Sequence, residues 1–322
     1  MDDAFIAAFL FDGQGGAQDL TESQVRKWRP SDGLLWVHID CANEQGRQWL
    51  EEASDVDSIL VGALLSEDTR PRITHFQEQS LVFLRGVNLA EGADPEDMVS
   101  LRVLASRERI ISTRRRRLLS VVDIIESLRA GDGPVSTSDF LARVCHYLTM
   151  RIDAVVDDIE ERMADLEEIL IDGQAQQVRS DLTLLRRRSI KLRRYLGPQR
   201  EAMFKLSSDR RSWIDDSDRP LLQESTDRLN RFVEELDTIR ERAILTQEEL
   251  ASQVTDQMNQ RMYVMSLIAA VFLPLSFFTG LLGINVGGIP GSQNGHAFVI
   301  VSLILCLIGF LILGVFKLKR WF

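Results

Sequence analysis

The sequence predicts an α+β body, a mixed sheet flanked by helices, followed by a very long helix that runs into a two-helix transmembrane hairpin. Three observations carry this. The first 120 residues alternate short β-like runs with helical apolar spacings. From about residue 220 a helical pattern meets no breaker before Pro274. The last part of the chain then holds two uncharged apolar stretches long enough to span a bilayer.

The runs 34–39 (LLWVHI), 80–84 (SLVFL), 100–105 and 109–112 are rich in Val, Ile, Leu and Phe between polar turns, and they read as strands. Residues 55–65 and 117–128 read as helices. The breaker Gly131-Asp-Gly-Pro134 marks a junction. After it, 138–171 and 176–196 have helical spacing, separated by Asp172-Gly173, and Pro198 is expected to end the second. Residues 215–220 form a start for the next helix. Leu222, Leu229, Phe232, Leu236, Ile239, Ala243 and Leu250 recur along it at heptad-like intervals. That pattern predicts one helix of roughly 95 Å, at about 1.5 Å per residue, with a stripe through which copies can associate. A coiled-coil stalk anchoring a soluble domain uses the same pattern.

Charge is partitioned sharply. All 48 acidic residues lie at or before Asp256. Of the 38 basic residues only Arg261, Lys317, Lys319 and Arg320 lie beyond residue 260, so the body holds 34 against 48 acids. Such a body is a poor partner for nucleic acid, whose phosphates need a net basic face. The runs Arg114–Arg117 and Arg186–Arg188 read as solvated faces or intersubunit ion pairs. Cys41, Cys145 and Cys306 are far apart and lack CxxC spacing, which fits a reduced cytosolic body. The opening MDDAFIAAFLFDGQ has no basic region before its apolar run and does not read as a signal peptide. No Gly-rich phosphate loop, nucleophile elbow or HExxH occurs, which argues against an enzyme.

Residues 262–283 and 297–316 contain no formal charge. Each helix would reach roughly 30 Å, the thickness of the hydrocarbon core of a membrane. Basic residues flank the pair on one side, and the loop 284–296 has neither Lys nor Arg. Positive-inside logic places both termini in the cytosol and the loop outside. Pro274 lies mid-span, so the backbone it frees should face protein or a wet lumen. The chain thus divides into an α/β body at 1–130, a helical part at 131–215, a stalk at 216–261, a first span at 262–283, an external loop at 284–296, a second span at 297–317 and a basic tail at 318–322.

Three segments carry a family resemblance. They are residues 67–83 (EDTRPRITHFQEQSLVF), 182–194 (LTLLRRRSIKLRR) and above all 273–285 (LPLSFFTGLLGIN), with a basic terminus KLKRWF. With these the chain resembles the CorA superfamily of divalent-cation channels and transporters over nearly its whole length. Gly283-Ile284-Asn285 stands where the family has Gly-Met-Asn. With its Gly-rich, acid-free loop it looks like the ZntB zinc-transporter branch. The resemblance implies a funnel-shaped homopentamer in a bacterial inner membrane, surrounded by lipid and moving divalent cations, zinc first, with no cofactor. The first span lines the pore and the second surrounds it. Asn285 then supplies a ring of five neutral amides that contact a hydrated ion through water, and Gly283 permits close backbone approach. As an isolated residue Asn285 equally suits a helix C-terminus.

Inward from Asn285, the matching pore positions are Ser276, Leu273, Ala269, Met265, Met262, Met258 or Asn259, Thr255 and Glu248. Met262 and Met265 are candidates for a constriction that gates by dewetting, although a Met stripe also suits a packed core. Glu248 and Asp256 are expected to form acidic rings that concentrate cations. Neither span holds a carboxylate, so a bare divalent ion would find no ligands there, and the ion is expected to cross hydrated. His296, the imidazole near the outer mouth, is either a transient zinc ligand or the end of a loop. The other zinc-capable set, His38-Ile-Asp40-Cys41 with Cys145-His146, is weakened by strand geometry, since Cys41 points away from His38 and Asp40. Transport of the ZntB kind implies proton linkage, here through His296 or the cytosolic acids Glu248 and Asp256. A magnesium, cobalt or nickel channel is the alternative reading.

Overall fold

A computed structural model describes residues 4–67, 70–171, 175–284, 289, 291 and 294–318. It forms two compact units, Met1–Gln247 and Glu248–Phe322.

The first unit is built on a seven-stranded mixed sheet: β1 (Ala7–Phe11), β2 (Ala17–Asp19), β3 (Leu35–Asp40), β4 (Arg72–Phe76), β5 (Gln79–Gly86), β6 (Val99–Ala105) and β7 (Arg109–Arg114). Their order is β2-β1-β3-β7-β6-β5-β4. Only β3 and β7 pair in parallel, with Leu35 opposite Arg109 and Asp40 opposite Arg114. Helices cover both faces, so β3 is buried on both sides and reads as a continuous apolar run. On one face α2 (Glu44–Glu52) and α3 (Ser58–Leu65) pack Trp49, Leu50, Leu60 and Leu64 against Val37, Phe83 and Ile111. Asp57 caps α3 by accepting a bond from the Ile59 amide at 2.8 Å. A short helix, α1 (Glu22–Val25), contributes Val25 to the same cluster.

On the other face lie α4 (Leu119–Ala130), α5 (Thr137–Ile171) and α6 (Ala175–Ser208). Trp36 packs edge-on against Phe140 of α5, with ring centroids 4.8 Å apart. Gly131 ends α4 with a φ of 81°, a left-handed cap that suits glycine. Asp172 and Gly173, expected to separate α5 from α6, lie outside the described residues. The long helix α7 (Arg219–Leu282) and the apolar α8 (Ala297–Leu318) complete the chain. The mixed sheet, the long helix and the C-terminal apolar helix all match the predicted fold class.

Two sequence readings need correction. Pro198 does not end a helix: α6 continues through it to Ser208. The preceding Gly197 has no Cβ to clash with the proline ring. Beyond the proline, Gln199, Ala202, Met203 and Leu206 are buried, and that packing outweighs one lost backbone bond. The second correction concerns self-association. Leu222, Leu229, Phe232, Leu236, Ile239 and Ala243 are buried in the same core as α5 and α6, and Leu250 is buried as well. The heptad-like stripe therefore holds α7 to its own chain and is not available to a second copy.

The zinc-capable set also resolves. His38 is fully buried, with Nδ1 2.8 Å from Ser112 Oγ, and Cys41 Sγ turns to the carbonyl of Leu64 at 3.7 Å. Among the described residues no group of His, Cys, Asp and Glu is arranged to hold a metal ion. Within the arginine runs, Arg115 pairs with Glu67, Arg116 with Asp97, and Arg188 with Glu96 and Asp158.

Candidate ion pathway along the apolar hairpin

The second unit consists of the end of α7, the connecting segment and α8. Both helices are long and apolar enough to cross a membrane, and no part of their apolar windows is buried within the chain. Long helices suit this role because every interior backbone group is paired within the helix, as hydrocarbon requires. α7 remains helical through Pro274.

The two faces of α7 are not equivalent. Leu267, Ala270, Val271, Pro274 and Leu275 are partly covered. This is the side on which Leu275 meets α8: its Cδ1 lies 3.9 Å from where a Cβ on Gly309 would sit. Met262, Met265, Ala269, Leu273 and Ser276 are exposed. At about 100° per residue they lie roughly half a turn from the covered side. The structure therefore gathers these predicted pore positions on one stripe and turns that stripe away from α8. Met265 and Leu273 are 71% and 72% exposed, a large apolar surface for lipid or another chain to cover.

Glu248, Thr255, Met262, Ala269, Ser276 and Gly283 follow one another at seven-residue intervals, and Glu248, Thr255 and Asn259 are also exposed. Asp256 is exposed but sits about 100° round the helix from Thr255, off the stripe. The hydroxyl of Thr255 bonds back to the Ala251 carbonyl at 2.8 Å, while that of Thr279 bonds to Leu275 and Ser276. The same register continues toward the start of α7 through Glu241, Glu234 and Asp227, all exposed acids. The sequence reading missed these three. Counting back by sevens from Gly283 finds them.

Gly283 donates its amide to the Thr279 carbonyl at 2.9 Å. An added Cβ there would lie 3.0 Å from that oxygen, so the position is tight. Ile284 is exposed, and Asn285 lies outside the described residues. His296 opens α8: its amide bonds to Asn294 Oδ1 at 3.0 Å and its carbonyl accepts from Ile300 at 3.1 Å, while the residue is exposed. Lys319 and Arg320 of the expected basic tail also lie outside the described residues.

Comparison with known proteins places this architecture. Residues 31–320 match the family described as CorA-like Mg2+ transporter protein. The divalent cation transporter CmaX of Pseudomonas aeruginosa is 40% identical over 320 residues, 98% of this chain and 96% of that one. The zinc transport protein ZntB of Pectobacterium atrosepticum is 37% identical over 303 residues, 94% of this chain and 91% of its own. The structure of full-length CmaX has a TM-score of 0.86 at 39% identity and 98% coverage of both chains. The CorA magnesium transporter of Methanocaldococcus jannaschii shares the fold, with a TM-score of 0.82 at 16% identity over 97% of this chain and 98% of that one. Two membrane-spanning helices on a mixed-sheet body, with these likenesses over nearly the full length, establish that the chain belongs to the CorA family of divalent-cation transporters.

Proposed function

We propose that the protein carries zinc across a bacterial inner membrane through a homopentameric pore, with the ion largely hydrated. The observation that carries this is the exposed stripe of α7, Met262 to Ser276, turned away from α8 and free of any formal charge. Two spans cannot enclose a lumen, so several copies must bring this stripe to a common axis. A lumen without carboxylates offers no anionic ligand to offset the charge of a bare divalent ion, and desolvation would be prohibitive. Recognition at the mouth then falls to Gly283-Ile284-Asn285, where a neutral amide ring touches the hydration shell. Glu248 supplies an acidic ring on the same register, and Asp256 adds charge nearby without facing the axis. Both termini are cytosolic, as the basic flanks indicate. The zinc assignment draws on the ZntB relative and on the Ile in Gly283-Ile284-Asn285.

The second reading is a broader channel for magnesium, cobalt or nickel. The Mg2+ in the family description and the unspecified divalent cation of CmaX favour it. Flux competition in proteoliposomes separates the two. A zinc pathway carries zinc in preference to magnesium and is blocked weakly by hexamminecobalt, a mimic of hydrated magnesium. Strong block with magnesium preferred refutes the zinc assignment. Proton linkage is tested in the same vesicles with a pH gradient. If His296→Ala, Glu248→Gln and Asp256→Asn leave pH-dependent flux unchanged, those groups do not couple protons.

A further inference from the structure

The helices α5 and α6 form an antiparallel hairpin, fixed in register by Arg188 Nη1 reaching Asp158 Oδ2 at 3.2 Å. Residue 158 thus sits level with 188, and each step forward on α5 matches a step back on α6. Asp157, Glu161 and Glu168 share one exposed face of α5, within about 40° of arc. Arg179, Arg186 and Arg187 share an exposed face of α6, within about 100°. No side chain of these six makes an ion pair or hydrogen bond among the described residues; Arg179 accepts a bond from the Thr183 hydroxyl through its backbone carbonyl alone. Their neighbours Arg188, Lys191 and Arg193 are engaged with Glu96, Asp158 and Asp237.

We propose that this hairpin is a head-to-tail contact between copies of the chain, in which Arg179, Arg186 and Arg187 of one copy pair with Glu168, Glu161 and Asp157 of the next. The inference rests on the homo-oligomeric pore above, which supplies the occupant. A contact between two different surfaces is the kind that closes into a ring. In a ring whose axis runs along the helices, a residue meets its partner at the same height. The hairpin register sets Arg179 level with residue 167, Arg186 with 160 and Arg187 with 159, each within two residues of its proposed acid. Apolar groups match as well. Leu184, between Arg179 and Arg186, and Ile190, one turn beyond Arg187, stand 56% and 47% exposed. The small exposed Ala164 and Ala154 lie at the corresponding levels of α5 and leave room for them. Arginines interleaved with exposed aliphatic groups have the composition of an interface rather than of a solvated face. The acidic side also repels itself in the single chain. Burial, then Glu160 and Asp157, raise the Glu235 carboxyl above its ordinary range, and arginines from a neighbour would relieve that crowding.

The test uses the full-length protein in detergent, with oligomer mass read by light scattering at low salt, where charge pairs are least screened. Arg186→Glu with Arg187→Glu should weaken assembly by roughly tenfold or more, since like charges then face each other. Asp157→Lys with Glu161→Lys should do the same. The four changes together restore opposite charges at every contact and should restore the wild-type mass. An intact oligomer in both double variants overturns the proposal. So does dissociation in both that the fourfold variant fails to reverse, which is the signature of misfolding. An intact oligomer whose arginine variant no longer binds phosphatidylglycerol vesicles assigns the basic stripe to lipid headgroups and also overturns it. A monomeric wild type defeats the pore reading itself, whereas an oligomeric wild type that both double variants leave unchanged defeats only this contact.

Discussion

Buried His38 makes folding stability depend on pH in a way that can be worked out from its surroundings. The ring is 0% exposed, and its Nδ1 lies 2.8 Å from Ser112 Oγ, which also accepts a bond from Trp36 Nε1. Burial, and then the positive charge of Arg114, lower its pKa from 6.5 to about 3; a hydrogen bond to Ser112 acts the other way without reversing the shift. Below pH 6.5 the unfolded chain takes up a proton that the folded chain refuses, so stability rises with pH. His38 thus contributes stability that is complete above 6.5 and is lost progressively as the pH falls toward about 3. At about 1.4 kcal/mol per pH unit, the loss between pH 6.5 and 5 is about 2 kcal/mol. Thermal unfolding of the full-length protein and of His38→Gln, each across that range, isolates the effect, because the two proteins differ at this side chain alone. The wild type should lose stability more steeply than His38→Gln by one proton's worth. Equal slopes would refute the assignment of a neutral, buried His38.

Two further outcomes follow from the packing and from the stripe. Leu236→Ala empties a fully buried site beneath α7 and should cost about 2–5 kcal/mol, seen as a lower Tm, with ion preference unchanged in the folded fraction. Met262→Ser with Met265→Ser wets the apolar section of the stripe and should raise resting cation leak into proteoliposomes; an unchanged leak removes both residues from the path.

The hairpin was legible in the sequence because membrane crossing depends on length and apolar content, which need no tertiary information. The central strands β3, β5, β6 and β7 were legible for a similar reason, since burial on both faces demands unbroken apolar runs. The edges were not. β4, with the sequence RITHF, buries only Ile73, and β1 was hidden in an apolar opening segment that could equally precede a helix. Pro198 reads as a helix end from its local backbone cost alone, and the packing of Met203 and Leu206 behind it, which outweighs that cost, is tertiary. The stripe from Leu222 to Ala243 misled more deeply. Heptad spacing shows that a helix has an apolar face but not which neighbour covers it, and here α5 and α6 of the same chain do. Of the candidate site, the register from Glu248 to Gly283 could be counted from sequence. Its orientation away from α8, and the position of Asp256 off it, required the covered face of α7 to be known.

Zinc flux into proteoliposomes, compared between the wild type and Asn285→Ala at equal reconstituted oligomer, tests the pore most directly. The wild type should pass zinc down its gradient, and Asn285→Ala should lose most of that flux while keeping its oligomeric mass. Undiminished flux through Asn285→Ala, or a wild type that passes no divalent cation, would contradict the account.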